Sequence, residues 1–128
     1  MNNLAKELGC NKLALGHHRD DALETFFLSL IYEGRMSTFS PLTLMDRSGI
    51  VQIRPLILCE EKRIIHVARK ENMPISKPQC PAAGKTQRED MKKLIKTIKG
   101  IQPDADNQML HALLSTQHYN LWDKIKRS

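Results

Sequence analysis

The stretch Lys12-Leu13-Ala14-Leu15-Gly16-His17-His18-Arg19-Asp20-Asp21-Ala22-Leu23-Glu24 changes its apolar period part-way along. Lys12 to Gly16 is a short apolar run bounded by polar residues, which predicts a buried parallel strand. From Asp20 onward Leu23, Phe26, Phe27, Leu30 and Ile31 recur at helical spacing, and Gly34 ends the segment. Asp21, with Glu24 three residues later, fits a capping box in which Asp21 is the N-cap. Strand, short polar turn and capped helix make the βα unit of an α/β domain.

Working outward, Asn3 to Leu8 reads as the end of a helix closed by Gly9. The runs Leu42 to Met45 and Ile50 to Ile53 flank Asp46-Arg47-Ser48-Gly49, which predicts a hairpin. A helix from about Glu60 to Lys70 follows Pro55, with Ile64, Ile65, Val67 and Ala68 facing inward. Pro74 and Pro78 make 73–86 a loop around Cys80-Pro81-Ala82-Ala83-Gly84, with a further strand near Ile75. From Arg88 the chain is amphipathic: Met91, Leu94, Ile95 and Ile98 share one face, Lys92, Lys93, Lys96 and Lys99 mostly the other, and Gly100 stops it. A last helix after Pro103 holds Met109, Leu110, Leu113 and Leu114. These elements predict a single partial domain over 1–128, with an α/β part at 1–80 and a basic helical part at 81–128. Few parallel strands are evident where a doubly wound sheet normally has several, so the expectation is the C-terminal part of a larger domain.

The 128 residues are 41% apolar and 27% charged, a soluble globular balance rather than a disordered one. No apolar run approaches the ~20 residues that span a bilayer, and Met1 to Glu7 lacks the features of a signal peptide. Three scattered cysteines, Cys10, Cys59 and Cys80, make no disulfide framework and no CxxC pair. These features predict a cytoplasmic protein with no membrane partner. Net charge is +6, of which +2 falls in residues 1–80 and the remainder beyond. Such an excess favours a polyanionic partner, although solvated basic helix faces are common.

Gly16-His17-His18-Arg19-Asp20-Asp21 is the densest functional cluster, placed where α/β proteins bind ligands. Gly16 permits close backbone approach, and free N–H groups at a helix start attract phosphate. His17 and His18 suit phosphate donation or proton exchange. The aspartates suit Mg²⁺ or acid–base work. Against this stands a plain reading of Asp21 as a cap, Asp20 as a dipole support and the histidines as solvated turn residues. Arg54, at a strand end, suits phosphate pairing or a surface ion pair with Glu60 or Glu61. Cys80 suits a metal or cluster ligand, a reactive thiol or a small buried side chain. Cys10 and Cys59 are assigned to packing.

The run from Leu13 to Asp21, followed by Glu24-Thr25, resembles the second signature of the PP-loop ATPases that modify tRNA. The arginine between its histidines and aspartates is closer to the tRNA 2-thiocytidine synthetases than to the lysidine synthetases. Tyr32-Glu33-Gly34-Arg35-Met36, Ile53-Arg54-Pro55-Leu56, Cys59-Glu60-Glu61-Lys62 and Cys80 with Gln87-Arg88 resemble further family segments in the same order. The resemblance covers about residues 4–117. It implies an adenine nucleotide alpha hydrolase-like, Rossmann-like α/β domain, here its C-terminal portion followed by helices. It also implies ATP-dependent adenylation of the C2 oxygen of an anticodon-loop cytidine, then replacement of AMP by sulfur.

On that resemblance Asp20 and Asp21 are catalytic, Gly16 and His17 border the nucleotide, and Arg54, Lys85 and Arg88 contact tRNA or phosphate. Cys80 matches one of three iron–sulfur ligands of the complete enzyme. The implied cofactors and partners are ATP, Mg²⁺, the cluster, tRNA and a sulfur donor, and exposed strand edges are compatible with a homodimer. The family's Ser-Gly-Gly-x-Asp-Ser loop and its CxxC do not occur in these 128 residues. Lys77 and Pro81 also depart from the family's cysteine loop. The expectation is therefore a chain that is inactive alone and assembles no cluster by itself. A lysidine or 2-thiouridine enzyme, or a non-catalytic nucleotide- or RNA-binding remnant, are the alternatives.

Overall fold

The computed structural model describes residues 2–45, 47–74, 87–115 and 117–123. The strand expected near Ile75, and the loop carrying Cys80 and Lys85, lie outside them. Helix α1 (Asn2–Glu7) leads into strand β1 (Lys12–Ala14) and helix α2 (Arg19–Leu28), which runs on into a π-helical turn at Ser29–Glu33. Strands β2 (Leu42–Met45) and β3 (Ile50–Ile53) precede helices α3 (Glu61–Lys70), α4 (Gln87–Ile101) and α5 (Ala105–Leu114). None of the described helices is long and apolar enough to cross a membrane.

The three strands lie in the order β1-β3-β2. β2 and β3 form the expected hairpin, with Leu44 opposite Val51. Gly49 turns it at φ +68°, where a side chain would be strained. β1 pairs parallel to β3, with Ala14 opposite Ile53, and the Leu15 N–H extends the ladder to the Ile53 carbonyl at 2.9 Å. Because the pairing is parallel, the residues just past β1 and just past β3 emerge side by side. That register brings Gly16 and His17 next to Arg54.

α2 packs on α4 and α5, which pack on each other, while α1 covers β1 and β3. Ala22, Leu23, Met91 and Ala105 are buried on the helical elements, and Ala5 and Ile50 on α1 and β3. Each large apolar side chain so buried contributes about 1.5–3 kcal/mol. Gly9, at φ +77°, closes α1 with two bonds back to the helix, Gly9 N–H to the Lys6 carbonyl and Cys10 N–H to the Ala5 carbonyl.

Several expectations need correction. β1 is shorter than expected and is not buried: Lys12 and Ala14 are exposed, because only one of its edges is paired among the described residues. α3 buries none of its residues, and Ile65 and Val67 are exposed rather than inward. Val67, with Leu56, Leu58, Ile64 and Met73, lines an apolar groove that no described element covers. α4 runs through Gly100 to Ile101, since one glycine near a helix end costs only about 1 kcal/mol. Leu30 and Ile31 are exposed where α2 gives way to the wider π turn, which rotates them off the buried face. Leu114 and Cys10 are likewise exposed.

Candidate functional site

Three segments converge past the ends of β1 and β3. The Arg54 Nε donates to His17 Nδ1 at 3.1 Å, and its Nη1 donates to the Ser40 carbonyl at 2.8 Å. His17 stacks on Phe39 with ring centroids 4.2 Å apart and planes 11° from parallel. The Arg54 guanidinium carbon lies 4.9 Å from the centre of the same ring. Thr38 Oγ1 donates to the Ala22 carbonyl at 2.6 Å, tying the loop that carries Phe39 onto α2. The partner of Arg54 is thus the imidazole, in place of the surface ion pair with Glu60 or Glu61 weighed for it.

The start of α2 differs from the expected capping box by three residues. The N-cap is His18: its Nδ1 accepts from the Asp21 N–H at 3.4 Å, while Asp21 Oδ2 accepts from the His18 N–H at 3.0 Å. An imidazole with a free nitrogen lone pair accepts as a cap oxygen does, so Asp21 becomes the returning acid rather than the cap. Next to it, the Arg19 N–H donates to the Cys59 carbonyl at 2.9 Å. Asp20 Oδ1 accepts from the Glu61 N–H at 2.9 Å. Asp20 thus satisfies an orphan donor in the first turn of α3, and the N-termini of α2 and α3 are held together by two reciprocal bonds.

Charges behind this turn pair internally. Arg19, 5% exposed, donates to Asp106 Oδ2 and Asn107 Oδ1, both at 2.6 Å, with Glu60 at 3.6 Å. Its Nε is buried with no partner among the described residues. Glu24, expected as the returning acid of the capping box, is instead buried and takes Lys92 at 3.0 Å and Arg88 at 3.4 Å. Arg88 also donates to Thr25 Oγ1 at 3.0 Å and lies 4.0 Å from Asp21 Oδ1. Lys99 reaches Asp106 at 3.4 Å. Lys92 and Lys99 therefore hold α4 to its neighbours, while Lys93 and Lys96 are exposed on the same helix.

Burial raises the Glu24 pKa despite its two cationic partners. Lys92 also loses solvation, but its side chain is 37% exposed, so pairing with Glu24 and Glu61 outweighs that loss and raises its pKa. For Asp106, burial is outweighed by the Asn107 backbone N–H, Lys99 and Arg19, which together lower its pKa.

Of the residues predicted to form the site, Gly16, His17, Asp20, Asp21, Arg54 and Arg88 are described, and the turn after β1 gathers them. Gly16 has open space around its Cα. Cys80 and Lys85 lie outside the described residues. Among the described residues no group of three His, Cys, Asp or Glu side chains could hold a metal ion. Phe39, Asp106 and Asn107 are not legible as site residues in the sequence. Phe39 sits in an aperiodic loop, and the two α5 residues are far away along the chain.

A PP-loop domain model matches residues 1–97. The chain belongs to the PP-loop family. This PP-loop chain is 40% identical over 123 residues to the tRNA-cytidine(32) 2-sulfurtransferase of Geobacter metallireducens, covering 94% of this chain and 48% of that protein. It is 36% identical over 121 residues to the enzyme of the same name from Sorangium cellulosum, covering 94% of this chain and 43% of the relative. The chain thus spans about half the length of the curated relatives it matches. Among solved structures, the U34-tRNA thiolase NcsA from Methanococcus maripaludis, with its 4Fe-4S cluster, superposes with a TM-score of 0.72. That match covers 99% of this chain and 43% of NcsA at 20% sequence identity, a likeness of fold. The PP-loop match ends inside α4, whereas the Arg19 partners Asp106 and Asn107 lie beyond it on α5.

Proposed function

We propose that this chain serves ATP-dependent 2-thiolation of a tRNA cytidine. The observation that carries the reading is the 40% identity to a cytidine 2-sulfurtransferase along 94% of the chain. It is supported by the gathering of the predicted site residues at one turn. In the proposed reaction the C2 oxygen of the base attacks the α-phosphorus of ATP, an O–P bond forms and pyrophosphate leaves. A sulfur nucleophile then adds at C2, and AMP departs with the former C2 oxygen.

Gly16 lets the nucleotide approach the backbone at the turn before α2. His17 borders the nucleotide as a hydrogen-bond donor. Asp20 and Asp21 each keep one carboxylate oxygen outside the backbone bonds described above. One or two carboxylates plus phosphate oxygens are the usual protein share of a Mg²⁺ site, so these two fit that role when ATP is bound. Arg54 and Arg88 flank the turn, with Lys85 as the third basic contact for tRNA or phosphate. The described residues offer no set of ligands for an iron–sulfur cluster. Cys80 is the residue proposed to ligate it in the complete enzyme. A sulfur donor is the remaining partner of the reaction, and exposed strand edges are compatible with a homodimer.

The test is mass spectrometry of tRNA nucleosides from cells lacking the gene. Loss of 2-thiocytidine, restored by the wild-type gene and not by Asp21→Asn, is the expected result. Loss of lysidine or 2-thiouridine would move the assignment to another PP-loop tRNA enzyme. An unchanged nucleoside profile would favour a binding protein without catalysis.

A further inference from the structure

We infer that Arg54 is a positioning residue for His17, holding its imidazole in the one tautomer that presents an N–H at Nε2 to an anionic oxygen of the bound ligand. A guanidinium has five N–H donors and no acceptor. At 3.1 Å from the Arg54 Nε, His17 Nδ1 is therefore the acceptor and carries no proton. In a neutral imidazole the remaining proton then sits on Nε2.

Two contacts make this arrangement rigid. The Ser40 carbonyl accepts from the Arg54 Nη1, so the guanidinium is held at a second point. The ring of Phe39, 4.2 Å from His17 and 11° from parallel, sets the imidazole plane. Among the described residues His17 Nε2 has no hydrogen-bond partner. His17 directly follows Gly16, which is open to solvent, and directly precedes the capped start of a ten-residue helix. A donor at that place suits phosphate.

The same geometry separates two roles for Arg54. With Nε and Nη1 engaged, its fork is not presented whole to a phosphate: Nε orients the imidazole, and Nη2 is the group left for the direct contact proposed above. A residue that orients the liganding nitrogen of a histidine from behind is a familiar device at metal sites; here the ligand is an anion. The nucleotide as ligand rests on the function proposed above, whereas the tautomer rests on the geometry alone.

Nitrogen-15 histidine labelling of the intact protein, read by two-bond proton–nitrogen correlation at about pH 8, above the ordinary histidine range, measures the tautomer without any variant. His17 is assigned by the signal that His17→Gln removes. The expected wild-type pattern is an Nε2–H imidazole. In Arg54→Met the two ring nitrogens should move toward a mixed tautomer, while His66, exposed on α3, keeps its signal and reports the fold. An Nδ1–H pattern in the wild type, or an unchanged one in Arg54→Met, would overturn the inference. ATP added to the wild type should shift the His17 Nε2 resonance, and Arg54→Met should raise the ATP Kd about tenfold, equivalent to ~1.4 kcal/mol. A wild type with the Nε2–H form but no response to ATP overturns the anion-donor role alone. Loss of 2-thiocytidine in the deletion strain remains a separate readout of the function.

Discussion

Arg19 sits in the sequence between two histidines and two aspartates, yet its guanidinium turns away from them to Asp106 and Asn107. Burying a charge this deeply is costly unless its partners are well placed. Removing one partner therefore does more harm than removing both. Asp106→Ala should destabilise the fold by about 3 kcal/mol, the lower end for a broken buried pair because Glu60 remains within 3.6 Å. Arg19→Met combined with Asp106→Leu should recover most of that loss, as read from urea unfolding midpoints. Equal losses in the single and double variants would mean that the pair itself supplies the stability. The caps follow similar logic. Asp20 and Asp21 are legible as candidate functional groups from their type and place, but the atoms they bond are not. Asp20 Oδ1 accepts from Glu61 on another helix, a bond that no local spacing encodes.

At the scale of elements, the C-terminal helices are held to α2 by charge as well as by Leu23 and Met91. The pH dependence follows from Asp106, whose folded pKa lies below its ordinary value of 3.8. A lowered carboxylate pKa means the folded state favours the ionised form. Its stabilisation is fully present above the unfolded value and is lost as pH falls through the lower folded one. The stability gap between wild type and Asp106→Asn should therefore be constant near neutrality and shrink below about pH 4. Circular dichroism during urea unfolding across that range measures it. Lys92 works in the opposite direction. Its raised pKa contributes stability that is present below 10.5 and lost as pH rises through the folded value. Alkaline titration should therefore release α4 earlier in Glu24→Gln than in the wild type, as amide hydrogen exchange would show. The hairpin, α4 and the closure of α1 by Gly9 are legible because each depends on neighbouring residues. The exposed face of α3 is not, because periodicity reports which residues share a face and not whether anything covers it.

For the whole molecule, the basic excess divides into charges that hold the fold and charges open to a partner. Lys92 and Lys99 are committed to Glu24, Glu61 and Asp106. Lys93 and Lys96 are exposed on the same helix. If tRNA is the partner, Lys93→Ala and Lys96→Ala should each reduce the salt dependence of its binding. The expected change in the log–log slope is about 0.7 for each single-stranded phosphate that the lysine neutralises. Lys92→Ala should chiefly lower the unfolding midpoint. Filter binding over a salt series, beside thermal melts, separates the two classes; equal slopes for all variants would place the tRNA elsewhere.

The sequence alone determined the βα unit, the hairpin, the amphipathic α4 and the family, since these rest on short-range spacing and ordered motifs. Only the tertiary structure decided that Arg54 meets His17 across 37 positions and Arg19 meets Asp106 across 87. Hydrogen bonds and ion pairs act over a few ångströms of space, whatever the separation along the chain. Their partners exist only once parallel pairing and helix packing have brought those distant segments together.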